Sequence, residues 1–459
     1  MTFMKFFKNQ FALDFDPPLW KNDSELFVMD QMLEKNSQII MLAAPCFPKA
    51  RDERQAPVGR DGMTLEQIVR CAIYQRHKTL TWRQLSEHTE DSKKGRRFTR
   101  MAYEQHFSHQ ALQENIAKIT PAVLEKIHLA ICQHGVDLGI DDGQKIRTDS
   151  TTIETNIHHP TNASLLWDCI RVAGRLLQRT HELLKTVTFR SYQKVGKKLL
   201  FKIVNTKGEE KRRPLFKKML KYQKADLRQV QTAIQSLSAG PFADAAREKQ
   251  RQALLAELEA LLPNIEKVAD VAYRREILDE KVPVDDKLFS LFETHTDCIV
   301  KGQRDAVFGH KVNFASGKSN LIFDCILERG NPADSSYFQQ TFDHLAVNFN
   351  ITPRDAASDG GYASRANLDY AKAKGIVNIV FNKVKGSQQN ITSSKQMETR
   401  LKKWRAGIEA MISNFKRGLK ASLCTWKGWE AFKSFMLWSV ITFNLRIMAR
   451  RIVAKLATA

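Results

Sequence analysis

The sequence predicts an α/β protein, with a mixed sheet flanked by helices, a helical N-terminal region and a helical insertion after the first strand. Three observations carry this. Short apolar or alternating runs that read as strands occur at 146–152, 308–315, 320–328 and 376–381. Amphipathic helical periodicity fills the chain from Met63 to about 131, and again from 163 to about 282. After the last strand-like run comes one long amphipathic helix, 396–419, and then one or two more helices over 427–455. The expected organisation is a helical DNA-binding or dimerisation region at 1–140 and a split core at 141–162 and 283–425. The insertion occupies 163–282 and C-terminal helices 426–459.

Composition narrows the partners. The 459 residues carry 72 Lys and Arg against 50 Asp and Glu, a net charge of +22. That excess points to a polyanionic partner, nucleic acid before membrane. The seven cysteines are scattered and form no CxxC pair, which argues for a reducing cytoplasm and against zinc or a disulfide framework. Residues 1–13 lack a secretory h-region. The longest apolar run, near 435–445, is too short to span a bilayer. The expectation is a soluble protein of the bacterial cytoplasm, associated with the nucleoid.

In chain order, Pro17-Pro18 and the stretch 45–59 read as linker. Thr64 and Gln67 form a capping box before Leu65, Ile68, Val69, Ala72 and Ile73. After a break at His77-Lys78-Thr79, a second short helix carries Trp82 and Arg83, followed by the basic Lys93-Lys94-Gly95-Arg96-Arg97. This pair resembles a helix-turn-helix module and marks Trp82 and Arg83 as DNA contacts. The run Ile146 to Thr152 reads as a strand ending on a carboxylate, Asp149. His158 and His159 are adjacent, so on extended chain they point to opposite sides, and they read as loop packing or substrate contact rather than metal ligands.

Within the insertion, helices are expected at 165–187, 215–237 and 243–278, with Pro263 as a kink or boundary. Between the first two, a basic segment at 190–221 interleaves Lys197, Lys198, Arg212 and Arg213 with Phe189, Tyr192, Phe201 and Phe216. Basic runs with interleaved aromatics favour nucleic acid. Beyond Pro283, Ser316-Gly317-Lys318 makes a hairpin turn. A helix at 334–348, a short strand into Ser358-Asp359, a helix at 364–374, a strand at 376–381 and a polar loop at 383–395 follow.

Without the insertion, this order is that of the RNase H-like fold. Its first and fourth strands are neighbours, so Asp149 and Asp359 come side by side, with Glu409 projecting toward them from the last helix. Three such carboxylates can hold two Mg²⁺ or Mn²⁺ ions. Arg405 lies one helical turn before Glu409 and Lys416 two turns after it, on the same face. There they can meet the phosphates beside a scissile bond.

The Arg405, Glu409, Lys416 spacing resembles the C-terminal signature of bacterial insertion-sequence DDE transposases. That signature usually has Tyr three residues before the Arg; here Lys402 stands there, with Trp404 nearby. The stretch 148–161, opening Thr148-Asp149-Ser150-Thr151-Thr152, resembles the first-Asp region of ISNCY-type members. Ser358-Asp359-Gly360-Gly361-Tyr362 resembles the second-Asp motif. With His310-Lys311-Val312 and Gly330-Asn331-Pro332, the similarity spans roughly 60–445. The resemblance implies cleavage of double-stranded DNA at element ends and strand transfer to target DNA, by at least a dimer. In better-known relatives the insertion lies between the last strand and the Glu helix, whereas here it follows the first strand. The same carboxylates also fit a nuclease without strand transfer, and a decayed DNA-binding protein is a third reading.

Overall fold

The computed structural model describes residues 23–47, 62–300, 305–382 and 390–458. Pro17-Pro18, the segment 1–13, most of the expected linker at 45–59 and the first part of the polar loop at 383–395 lie outside the described residues. The chain divides into two compact units, Met1–Glu154 with Gly309–Ala459, and Thr155–Phe308.

The first unit opens with helices α1 (Ser24–Lys35), α2 (Ser37–Met41), α3 (Leu65–Lys78), α4 (Trp82–Asp91), α5 (Lys93–Thr99), α6 (His109–Ala117) and α7 (Pro121–Asp137). The Thr64–Gln67 capping box forms as the sequence predicts, and a second joins Thr81 to Gln84. Thr79 turns the chain between them in the left-handed region, φ 55°. Helix α3 is buried along almost its whole length. Its Arg70 is completely buried and is neutralised by Asp30 at 2.6 Å and Glu66 at 2.8 Å. A buried charge survives only with such pairing.

Strand β1 (Lys145–Thr155) leads into the second unit, which holds α8 (Asn162–Leu183), α9 (Gln193–Asn205), α10 (Glu209–Ser238), α11 (Ala245–Glu276) and β2 (Asp297–Ile299). These helices close around Leu166, Ile170, Leu177, Met219, Val230, Leu258 and Ile265. The basic segment expected between helices is itself helical, because Leu199, Ile203, Phe216 and Met219 give it a buried face. Pro263 is no boundary, and α11 runs through it. Burial of Leu258, Leu261, Ile265 and Val268 on either side outweighs the one lost hydrogen bond.

The first unit resumes with β3 (Val307–Ser316), β4 (Ile322–Leu327), α12 (Asp334–Phe349), β5 (Asp355–Ser358), α13 (Arg365–Ala373), β6 (Asn378–Phe381), α14 (Lys395–Gly418), β7 (Leu423–Cys424) and α15 (Trp429–Thr458). The core strands lie in the order β4-β3-β1-β5-β6. β1 runs antiparallel to β3 and parallel to β5, and β6 is parallel to β5. This is the RNase H-like order, with a helical N-terminal region before the first strand and helices inserted after it. One sheet face packs Ile146, Ala315 and Phe323 among the N-terminal helices and α12. The other packs Ile153, Val312 and Phe314 under Ile408, Met411 and Phe415 of α14 and the apolar residues of α15.

The first strand does not end at Asp149. β3 pairs with β1 as far as Glu154, opposite Gly309. On its other edge β1 pairs with β5 only as far as Thr148, opposite Ser358. Farther on, Glu154 N–H donates to the Ser422 carbonyl at 2.9 Å, beside β7. Asp149 therefore sits where β1 loses its parallel neighbour, which opens a place for a functional side chain within a continuous strand.

Candidate active site

Asp149 follows Thr148 on β1, and Asp359 follows Ser358 at the end of β5. Thr148 and Ser358 are register partners whose hydroxyls meet at 2.7 Å. The parallel pairing thus sets the two aspartates beside each other although 210 positions separate them in sequence. Helix α14 crosses this edge with a buried stripe of Leu401, Arg405, Ile408, Ile412 and Phe415. Arg405 is the charged member of that stripe.

Its guanidinium gathers all three sequence-predicted carboxylates. Nη2 donates to Asp149 Oδ2 at 2.9 Å and stands 3.6 Å from Asp359 Oδ1, while Nη1 donates to Glu409 Oε1 at 3.2 Å. The arginine side chain is 6 % exposed, and exposure rises from Asp149 at 17 % through Asp359 at 41 % to Glu409 at 68 %. One end of the cluster is anchored and the other opens to solvent. Asp149 Oδ1 also accepts the Ser150 N–H at 2.8 Å, which fixes the carboxylate plane.

Lys416 is tied to β1, its ammonium donating to the Thr152 carbonyl at 2.7 Å. It meets the strand just past Thr148, where β5 no longer covers that edge. Lys402, where the signature's Tyr stands, pairs with Glu398 at 2.5 Å. The nearby aromatic has a different task. The Trp404 ring lies 4.5 Å from Lys145 Nζ and 4.8 Å from the Arg147 guanidinium, and its carbonyl accepts from Arg147 Nη1 at 2.6 Å. Arg147 also donates to Asn320, and its burial lowers the guanidinium pKa to about 10. A Cβ on Gly407 would come within 2.5 Å of Arg147 Nη1, so the absence of a side chain there leaves room for the Arg147 guanidinium against α14.

Sequence reasoning missed Arg147 and, on the opposite face of β1, a polar cluster. Ser150 Oγ donates to Asp334 Oδ1 at 2.8 Å, and Lys311 reaches the same carboxylate at 3.2 Å and the Pro332 carbonyl at 2.6 Å. Tyr362, fully buried, donates to Asn313 Oδ1 at 2.6 Å. Burial, with Asp334 and Asp149 nearby, pushes its phenol well above the usual range and keeps it a neutral donor. Ser150, Lys311, Pro332 and Tyr362 stand in the stretches that resemble the transposase motifs, but residue order does not show that they meet.

The remaining expected contacts fall elsewhere. Trp82 is engaged in packing, its ring 5.1 Å from that of Trp426, whereas Arg83 is exposed. In the second unit Lys197 and Lys198 are exposed on α9, but Arg212 and Arg213 are half-buried on α10. His158 stands 3.3 Å from Asp168 and the His159 ring packs edge-on against Phe308.

Three carboxylates without nitrogen or sulfur donors suit a hard divalent cation. Among the described residues, however, no three His, Cys, Asp or Glu side chains are grouped to hold a metal ion as they stand; the triad is spread around Arg405. No helix among the described residues is long and apolar enough to cross a membrane. Residues 280–445 match the family model of a transposase DDE domain. That stretch holds Asp359, Arg405, Glu409 and Lys416, while Asp149 lies ahead of it. No match to the chain is found among curated proteins or solved structures.

Proposed function

We propose that this chain is a DDE transposase of an insertion sequence, of the ISNCY type that its first-Asp region resembles. On this reading it binds the element's ends, cleaves DNA strands and joins the 3′-hydroxyl ends to target DNA. The observation that carries it is the convergence of Asp149, Asp359 and Glu409 on one guanidinium, with the last two inside the segment that matches a transposase DDE domain.

Asp149, Asp359 and Glu409 would hold two Mg²⁺ or Mn²⁺ ions, which when bound activate the attacking oxygen and stabilise the leaving one. The Ser150 N–H and the β1–β5 pairing keep the two aspartates aligned, so their orientation is set before DNA arrives. Arg405 and Lys416 hold positive charge beside the reacting phosphate and orient it against the carboxylates. Trp404 and Gly407 of α14 meet Arg147 of β1. Two element ends must be brought together, so the acting form is a dimer or larger.

The second unit adds delocalised DNA binding. Lys197 and Lys198 of α9, and Arg212 and Arg213 of α10, form one part of that surface. Lys217, Lys221, Lys224 and Arg228 extend it. All four are exposed and fall at helical spacing on one face of α10, a stripe about 16 Å long at 1.5 Å per residue. Arg83 on α4 is a further contact, and Trp82 supports that helix through Trp426.

The test is incubation of the protein and Mg²⁺ with DNA bearing the element's terminal repeats plus a target plasmid. Free 3′-hydroxyls at the element ends and joined products are expected. Cutting without joining would replace this reading with a nuclease, and binding without cutting with a decayed DNA-binding protein.

A further inference from the structure

We propose that Arg405 is a positioning residue that acts as the internal counter-ion of the carboxylate cluster, and that divalent cations bind by taking its place among Asp149, Asp359 and Glu409. The inference rests on the metal-binding role proposed for those three residues. One guanidinium lies within 3.6 Å of an oxygen from each of them. It does so from an apolar stripe, between Leu401 and Ile408, where only 6 % of its side chain is exposed. A charge in that setting is costly unless paired. Three carboxylates turned toward one point are in turn costly without a cation between them. Each side of the arrangement stabilises the other.

The consequence is competition. The carboxylate oxygens that face Nη1 and Nη2 are those a cation would need, and a divalent ion of like sign repels the guanidinium. As they stand the three carboxylates are not grouped as a metal site. Closing them on a cation therefore means releasing Arg405. Its Nε is already a buried donor without a hydrogen-bond partner among the described residues, so the side chain gains by turning toward an acceptor such as a phosphate oxygen. Cation binding and phosphate capture by Arg405 become one exchange of partners.

The experiment compares the full chain with Arg405→Gln, measuring thermal midpoints in chelator and in saturating Ca²⁺, and Mn²⁺ affinity by electron paramagnetic resonance of the free ion. In chelator the variant should melt several degrees below wild type, and Ca²⁺ should remove most of that gap, because a ligand that binds the folded state stabilises it. Mn²⁺ should bind the variant about tenfold more tightly, the size of effect expected from removing one competing charge-assisted hydrogen bond. If Arg405→Gln does not fold in chelator, Arg405→Lys keeps the charge but cannot span three carboxylates, and it should show the same ordering with smaller shifts. An equal loss of midpoint with and without Ca²⁺, or weaker Mn²⁺ binding by the variant, would overturn the proposal. Absence of Mn²⁺ binding in wild type and variant alike would overturn it together with the metal-binding role itself.

Discussion

Helices α14 and α10 are both long and rich in Lys and Arg, yet they handle charge in opposite ways. On α14 three cations are matched, Lys402 with Glu398, Arg405 with three carboxylates, and Lys416 with a strand carbonyl, while the exposed Lys395, Arg400, Lys403 and Arg417 enter no ion pair among the described residues. On α10, among the described residues, Lys211, Lys217, Lys218, Lys221, Lys224 and Arg228 enter no ion pair. The only acid after Glu210 is Asp226, which is buried. Burial pushes its carboxyl up to about 7, so it neutralises little. Matched charge fixes geometry at one point. Unmatched charge attracts over a Debye length and binds by releasing counterions.

The contrast can be broken most severely at the matched end. Asp149→Asn, Asp359→Asn and Glu409→Gln should each lower DNA cleavage by roughly 10³-fold or more, since each removes a ligand of the proposed metal pair. Binding of end DNA should be unchanged or tighter, because a negative charge near phosphates is gone. Gel assays of cleavage beside anisotropy titrations check both halves, and full cleavage by any one variant would remove that residue from the site. Saturating Ca²⁺ should support binding without turnover.

Next in size, Arg405→Ala should reduce cleavage by about 100-fold while DNA affinity falls far less, because Arg405 supplies one phosphate interaction among many but does so at the reacting group. Cleavage at the wild-type rate would remove Arg405 from the reacting phosphate. At the unmatched end, neutralising Lys217, Lys221, Lys224 and Arg228 together should flatten the slope of log affinity against log salt, by up to about 0.9 for each phosphate no longer neutralised. Neutralising Lys197, Lys198, Arg212 and Arg213 should flatten it less, since the two arginines are half-buried. An unchanged slope in both would remove the second unit from DNA binding.

The smallest effect concerns the buried acid of α10. Asp226 has a folded pKa of about 7 against an ordinary value of 3.8. The folded state therefore holds a proton that the unfolded state has released, and stability falls as pH rises from about 4 to 7. Asp226→Asn should abolish that part of the decline and raise stability at pH 8 by about 1–2 kcal/mol. Urea titrations at pH 5 and pH 8 check it, and an equal effect at both pH values would mean that the carboxyl does not titrate in this window.

Much of the first unit is legible in residue order. Alternating and apolar runs, a Thr-x-x-Gln cap and a Ser-Gly-Lys turn are local signals, so β3, β4, β6, α3 and α14 appear close to where the sequence places them. The proximity of Asp149 and Asp359 follows from strand order as well, because parallel neighbours of the same sheet end on the same side. Burial was harder to see. The segment around Lys197 and Arg212 reads as a basic stretch between helices, but every third or fourth residue finds an apolar partner in the bundle and the segment folds as helix. Trp82 and Arg213 look like surface contacts until Trp426 and the bundle cover them. Arg405 illustrates the limit most sharply. One helical turn relates it to Glu409 in sequence, but its ion pairs with Asp149 and Asp359 depend on how α14 packs against β1 and β5. There Trp404 and Gly407 of α14 meet Arg147 of β1, which lies 257 positions from Trp404 in the chain, a meeting that only tertiary packing decides.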